Sequence, residues 1–137
     1  MFKLVQNLTC WWPVKVSEPD PNNPGKFIEH TFEAELQILD REESQKVEEE
    51  RKALLKQAAD DPSDENLAKI EKLLDAHDQM AFRRVLKNWR GLIDETDQPI
   101  PFNDQTFLAV VKHERVRRGL NAAYQEAISG DKARLGN

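Results

Sequence analysis

The sequence predicts an α+β fold: an N-terminal antiparallel β-hairpin followed by a mainly α-helical body of four to five helices. Three observations lead there. Two runs near the N-terminus alternate apolar and polar residues with a period of two. Beyond residue 40 the apolar residues recur at three- and four-residue spacing, between residue types that cap helices. Between the helical stretches lies "NWRGLIDETDQPIPFND", Asn88 to Asp104, where a tryptophan, a glycine, prolines and acids interrupt any period.

The first alternating run is "LTCWWPVKV", residues 8–16. Leu8, Cys10, Trp12, Val14 and Val16 share one face, and Thr9, Trp11, Pro13 and Lys15 the other. Pro13 has no N–H for a ladder, which predicts an edge strand or an outward-facing position. The stretch "SEPDPNNPG", Ser17 to Gly25, reads as a turn by composition. The second run, residues 26–38, places Ile28, His30, Phe32, Ala34, Leu36 and Ile38 together, opposite Phe27, Glu29, Thr31, Glu33, Glu35 and Gln37. Two such runs around a turn predict a hairpin with one buried face. An isolated hairpin is barely stable in water, so helices or a hairpin from another copy must cover it.

Asp40 suits a helix N-cap, with Glu42 and Glu43 near the positive end. The helix over 41–59 has a thin apolar stripe of Val47, Leu54, Leu55 and Ala58, which predicts a largely solvated element. "DDPSDE" breaks it, Ser63 caps the next, and a helix over about 64–88 carries Leu67, Ile70, Leu74, Ala81 and Val85, widened by Leu73, Met80 and Phe82. The two form an αα-hairpin. Asn103 then stands at a capping position, with Phe102 just before it and Phe107 four residues in, the spacing of a hydrophobic staple. Further on, "HERVRRG" predicts a bend at Gly119, and a last helix presents Val116, Leu120, Ala123, Tyr124, Ala127 and Ile128 before Gly130 stops it.

The 137 residues fit one domain, with a hairpin over 1–39, a charged helical hairpin over 40–90, an elbow loop over 91–103, helices over 104–130 and a tail over 131–137 that should fray. Hydrophobic residues make up 39% and charged residues 33%, so the core must be small. The net charge of −5 argues against a dedicated nucleic-acid binder. Residues 1–65 hold 15 acids against 8 bases and residues 66–137 hold 10 against 12, an asymmetry that favours steered or head-to-tail contacts. The single cysteine, Cys10, excludes an intramolecular disulfide, and no apolar run is long enough for a signal peptide or a membrane helix. A soluble intracellular protein is the expectation.

Little in the sequence points to catalysis. His30, His77 and His113 lack the spacing of a zinc site, no glycine-rich phosphate loop occurs, and acids such as those of "DETD" (Asp94 to Asp97) more often shape turns than catalyse. No enzyme, no metal and no cofactor are expected. A basic patch could form from Arg83, Arg84, Lys87 and Arg90 with Lys112, Arg115, Arg117 and Arg118, should their helices lie side by side. Such a patch could serve phosphate and a small nucleic-acid-binding or regulatory role; pairing with the acidic segments is the competing explanation.

Three stretches together resemble the tail assembly chaperones of long-tailed bacteriophages and prophages. "WPVKV" (Trp12 to Val16), the turn after it and "FEAEL" (Phe32 to Leu36) resemble that family's opening hairpin. Trp89, Gly91, Leu92, Asp94, Pro101 and Phe102 match its tryptophan–glycine–acid–proline–phenylalanine run, and Ala123, Tyr124, Ala127, Gly130 and Asn137 resemble its last helix and end. Asp97 and Gln98 stand where the family usually has a glycine, and Asn103 where it has serine or threonine. The charged hairpin over 41–82 matches nothing beyond a variable helical middle. The resemblance implies a non-enzymatic, self-associating protein of the bacterial host's cytoplasm, absent from the mature virion. It would hold the tape measure protein soluble, help recruit the tail tube protein, and in many such genes be accompanied by a longer frameshift product. The elbow residues Trp89, Gly91, Pro101, Phe102, Asn103 and Phe107 then read as structural, and Trp11, Phe27, Val47, Leu54 and Leu55 as partner-facing.

Overall fold

The structure is a computed structural model that describes residues 1–130. The tail over 131–137, including Asn137, lies outside the described residues. In chain order the elements are β1 (Thr9–Pro19), β2 (Phe27–Gln37), α1 (Arg41–Asp60), α2 (Asp64–Val85), β3 (Leu86–Arg90), α3 (Asp104–Val111) and α4 (Glu114–Ser129). The fold is α+β, with the N-terminal antiparallel hairpin that the alternating sequence requires. The chain divides into two compact units: a sheet unit of Thr9–Gln37 with the chain from Leu86 onward, and a helical unit of Met1–Leu8 with Ile38–Val85.

In the sheet unit the strand order is β1-β2-β3, each pair antiparallel. Val14 and Val16 of β1 and Phe32, Ala34 and Leu36 of β2 are buried, on the face that the period of two assigns to the core. α4 packs against β1, and Val116, Leu120 and Ala123 are buried. Gly119, also buried in this helix, permits close packing: a Cβ there would stand 2.6 Å from the Lys15 carbonyl oxygen and 3.1 Å from Val14 Cγ1. The expected bend at Gly119 is therefore a close approach within a continuous helix. The break falls earlier, between Val111 and Glu114, where His113 has extended backbone and serves as N-cap of α4. At the other end Gly130 adopts φ 65° and its N–H donates to the Glu126 carbonyl at 2.8 Å, closing the helix as the sequence implies.

β3 corrects the expectation of a helix continuing to residue 88. Leu86 pairs with Leu36 and Trp89 with Ala34, while the register shifts between Glu35 and Leu36. One extra residue, Lys87, is accommodated on β3 as a bulge. The bulge turns Leu86 and Trp89, three apart, to the same buried face. That spacing imitates a helical stripe, which is why periodicity carries the helix too far.

In the helical unit Asp40 caps α1. Its carboxylate accepts from the Glu43 N–H at 2.8 Å, and the Glu43 carboxylate accepts from the Asp40 N–H at 3.3 Å. The turn between the helices is tied by Asn66, whose side-chain amide donates to the carbonyls of Gln57 and Asp61 at 3.1 and 2.7 Å. Ser63 Oγ accepts from the Asn66 N–H at 3.3 Å, so Ser63 acts as the expected cap. α1 contains no buried residue, and α2 buries Ile70. Leu67, Leu73 and Met80, expected in the apolar stripe of α2, are exposed. In a two-helix hairpin each helix has a single helical neighbour, so only the facing line is covered.

Candidate functional site

The elbow assembles entirely within the sheet unit. Trp89, held by its pairing with Ala34, meets Phe102 edge to face at 4.8 Å, and its indole N–H donates to the Ile100 carbonyl at 2.7 Å. Phe102 is followed by Asn103, whose Oδ1 accepts from the Thr106 N–H at 2.9 Å, while Thr106 Oγ accepts from the Asn103 N–H at 3.0 Å and donates to the Pro101 carbonyl at 2.6 Å. Phe107 is buried with its ring 6.4 Å from that of Phe102. The staple and the cap thus stand where the sequence places them. Threonine does at the third helical position what a glutamate does in the commoner capping box.

Between Trp89 and Pro101 the chain makes a small ribbon. Gly91 leaves β3 with φ 77°, a conformation that suits glycine. The Ile100 N–H donates to the Leu92 carbonyl and the Asp94 N–H to the Gln98 carbonyl, both at 2.9 Å, around a bridge between Ile93 and Pro99. The Asp94 carboxylate organises the tip. It accepts from the Thr96 hydroxyl at 2.7 Å and from the N–H groups of Thr96 and Gln98 at 2.8 and 3.0 Å. The Thr96 hydroxyl, then the two backbone donors, hold its pKa below the ordinary carboxylate value. Asp97 has φ 62°, a left-handed conformation carried by a residue type that tolerates it. These acids shape a turn.

The sheet face opposite the core carries a second constellation. Arg90 stands across from Glu33 and makes two hydrogen bonds to its carboxylate, at 3.0 and 3.3 Å. Its guanidinium lies 4.1 Å from the centre of the Trp11 ring, in cation–π geometry. The Arg90 hydrogen bond lowers the Glu33 pKa and that same bond raises that of Arg90. Trp11 is consequently half-buried, whereas Phe27 at the start of β2 is 71% exposed. The sequence alone could not pair Trp11 with Arg90, because their meeting depends on the β2–β3 register.

In the helical unit Val47 and Leu54 are half-buried. They share a line with Glu43 and Arg51, which bond to Arg84 at 2.8 Å and to Asp78 at 3.1 Å across the hairpin. Leu55 is turned away from that line and is 46% exposed, and Met80 is 74% exposed. Exposed apolar side chains also occur at Met1, Phe2, Leu4 and Val5, which the sequence reading does not single out.

The eight basic residues of the expected patch are divided, Arg83 and Arg84 in the helical unit and the other six in the sheet unit. Most of the guanidinium groups already have acceptors. Arg84 bonds to Glu43, Arg90 to Glu33 and Arg115 to Glu18 at 2.8 Å, Arg118 lies 3.7 Å from Glu114, and Arg117 donates to the Val111 carbonyl at 2.5 Å. Lys87 and Lys112 are exposed. Much of the positive charge is thus compensated in place.

An open groove of about 330 Å³ lies in the sheet unit, walled by Leu92, Ile100, Ala109, Val110 and Val116. Arg115 reaches its rim, tied to Glu18. Among the described residues no group of three or more His, Cys, Asp or Glu side chains could hold a metal ion, and no helix is long and apolar enough to cross a membrane. The Cys10 thiol has its pKa pushed up by burial, against thiolate reactivity. Comparison with protein-family models, with curated proteins and with solved structures finds no match to this chain.

Proposed function

We propose that the protein is a non-enzymatic tail assembly chaperone of a long-tailed bacteriophage or prophage. It binds the tape measure protein, keeps it soluble in the host cytoplasm, helps recruit the tail tube protein, and does not remain in the mature virion. Self-association, and a longer frameshift product of the same gene, belong to this reading.

One observation carries it. The three stretches that bear the resemblance, the hairpin from Trp12 to Leu36, the elbow from Trp89 to Phe102 and the last helix from Ala123 to Gly130, all fall within one compact unit. The charged helical hairpin, which bears no resemblance, falls in the other, between β2 and β3 in chain order. A chance scatter of family-like residues has no reason to sort in this way. The left-handed Asp97 fits the same reading, because a glycine would be at home there.

Partner contacts are assigned to accessible apolar groups. Phe27 and Leu55 are exposed and can enter a helix-in-groove or strand-face contact with a long client. Trp11, braced by Arg90, offers a rigid aromatic of the type enriched at binding hot spots. Val47 and Leu54 take part only to the extent that the helical hairpin opens.

The test is co-expression with the reading frames just downstream, followed by affinity pull-down and sizing. Recovery of a complex with a very long, helix-rich protein supports the reading. Recovery of this chain alone, with every neighbouring product soluble without it, counts against it.

A further inference from the structure

We propose that Arg115 is the positioning residue of a projecting β-arm that presents Phe27 and Ile28. The β1–β2 hairpin runs on past its buried half. Val16 and Phe32 are buried, whereas no residue from 17 to 31 is. The ladder nevertheless continues, with Ser17 paired to Glu29 and Pro19 to Phe27. The Asp20 N–H then donates to the Lys26 carbonyl at 2.9 Å and closes it. Bonded and non-bonded pairs alternate in such a ladder, so Glu18 with Ile28 and Val16 with His30 are bonded pairs. A two-stranded ribbon with neither face covered is marginal in water.

Glu18, half-buried at the base of the arm, uses both carboxylate oxygens. Oε1 lies 3.2 Å from His30 Nε2 and so joins the two strands of the arm. Oε2 accepts from Arg115 Nε at 2.8 Å and so joins the arm to α4. Among the described residues, Arg115 is the one residue beyond β1 and β2 that hydrogen-bonds or ion-pairs with residues 17–31. Its guanidinium also lies 3.4 Å from Nδ1 of His113, the N-cap of α4. The helix behind it is itself fixed to the sheet: Val116 is buried, and one turn on, Gly119 packs against Lys15 of β1. Arg115 thus carries the position of an anchored helix to the arm. Phe27 and Ile28, successive in the strand, turn to opposite faces of the arm, and both are exposed. A braced arm is ordered before a partner arrives, which lowers the entropic cost of binding through it. That Phe27 meets a client rests on the proposed function; the brace does not.

The experiment is backbone amide exchange on the full chain, wild type against Arg115→Gln and Arg115→Lys. In Arg115→Gln the Glu18, Ile28 and His30 amides should exchange roughly two- to fivefold faster, the effect of losing an exposed ion pair, while those of Val14 and Phe32 stay unchanged. Arg115→Lys should restore most of the protection. Unchanged arm amides in Arg115→Gln would overturn the proposal, and so would an equal acceleration at Val14 and Phe32, which would make Arg115 a support of the whole unit. If Arg115→Gln does not fold, Glu18→Gln decides by the same amides. Pull-down of the co-expressed client adds the functional arm: Arg115→Gln should lower recovery in the wild-type background and lower it no further in Phe27→Ser. A full further loss in Phe27→Ser would contradict action through the arm. Failure of the wild type to recover any client would remove the proposed function, and the exchange result would still decide the brace.

Discussion

Trp89 and Phe102 meet edge to face with their ring planes 88° apart, and the Trp89 indole N–H is bonded to Ile100, two residues before Phe102. This one side chain ties β3 to the return arm of the elbow. Its apolar body fills the core and its polar edge is satisfied by backbone. Trp89→Ala should therefore cost about 3–5 kcal/mol, the range for a large buried aromatic. Trp89→Phe should lose less but leave the Ile100 carbonyl without its donor. Denaturant unfolding of both variants checks this; equal stability for all three proteins would mean that the elbow does not hold the sheet unit together.

Gly119→Ala separates two opposing effects. Alanine favours a helix over glycine by about 1 kcal/mol. The new Cβ would lie 2.6 Å from a backbone oxygen of β1, which cannot swing aside as a flexible side chain could. The clash should win, with a net loss of about 1–3 kcal/mol. A gain in stability on thermal unfolding would show that α4 and β1 are less tightly packed than their geometry states.

Asn103→Ala removes the acceptor for the Thr106 N–H and should destabilise by about 1 kcal/mol, whereas Asn103→Ser should retain most of the cap. Amide exchange in the first turn of α3 provides the local readout. Equal exchange in the two variants would refute the capping role.

Asp94 makes the elbow tip sensitive to acid. Its pKa is lowered in the folded chain, so the stabilisation is present above the ordinary carboxylate value and is lost as pH falls through the lowered one. Amide resonances of Thr96 and Gln98 should shift together below about pH 4. In Asp94→Asn that step should vanish; its persistence would assign the transition to another acid.

The parts legible in the sequence are those set by local chemistry. The hairpin follows from a period of two, the α1 cap from Asp40, and the elbow's entry to α3 from Phe102, Asn103 and Phe107. The parts that escape are set by partners distant in the chain. β3 hides because its bulge gives Leu86 and Trp89 a helical spacing. The Arg90 cluster hides because Glu33 lies 57 residues away. Leu67, Leu73 and Met80 read as core from periodicity, which reports that a face is apolar and not whether anything covers it.

The proposed chaperone role requires this chain to keep a long client soluble. The most direct measurement expresses each product of the reading frames just downstream alone and together with this chain, and follows the soluble fraction of any that is very long and helix-rich. The expected result is an insoluble client alone, a soluble one in the presence of the wild type, and a reduced soluble yield with the double variant Phe27→Ser, Leu55→Ser. A client that is equally soluble with and without this chain would contradict it.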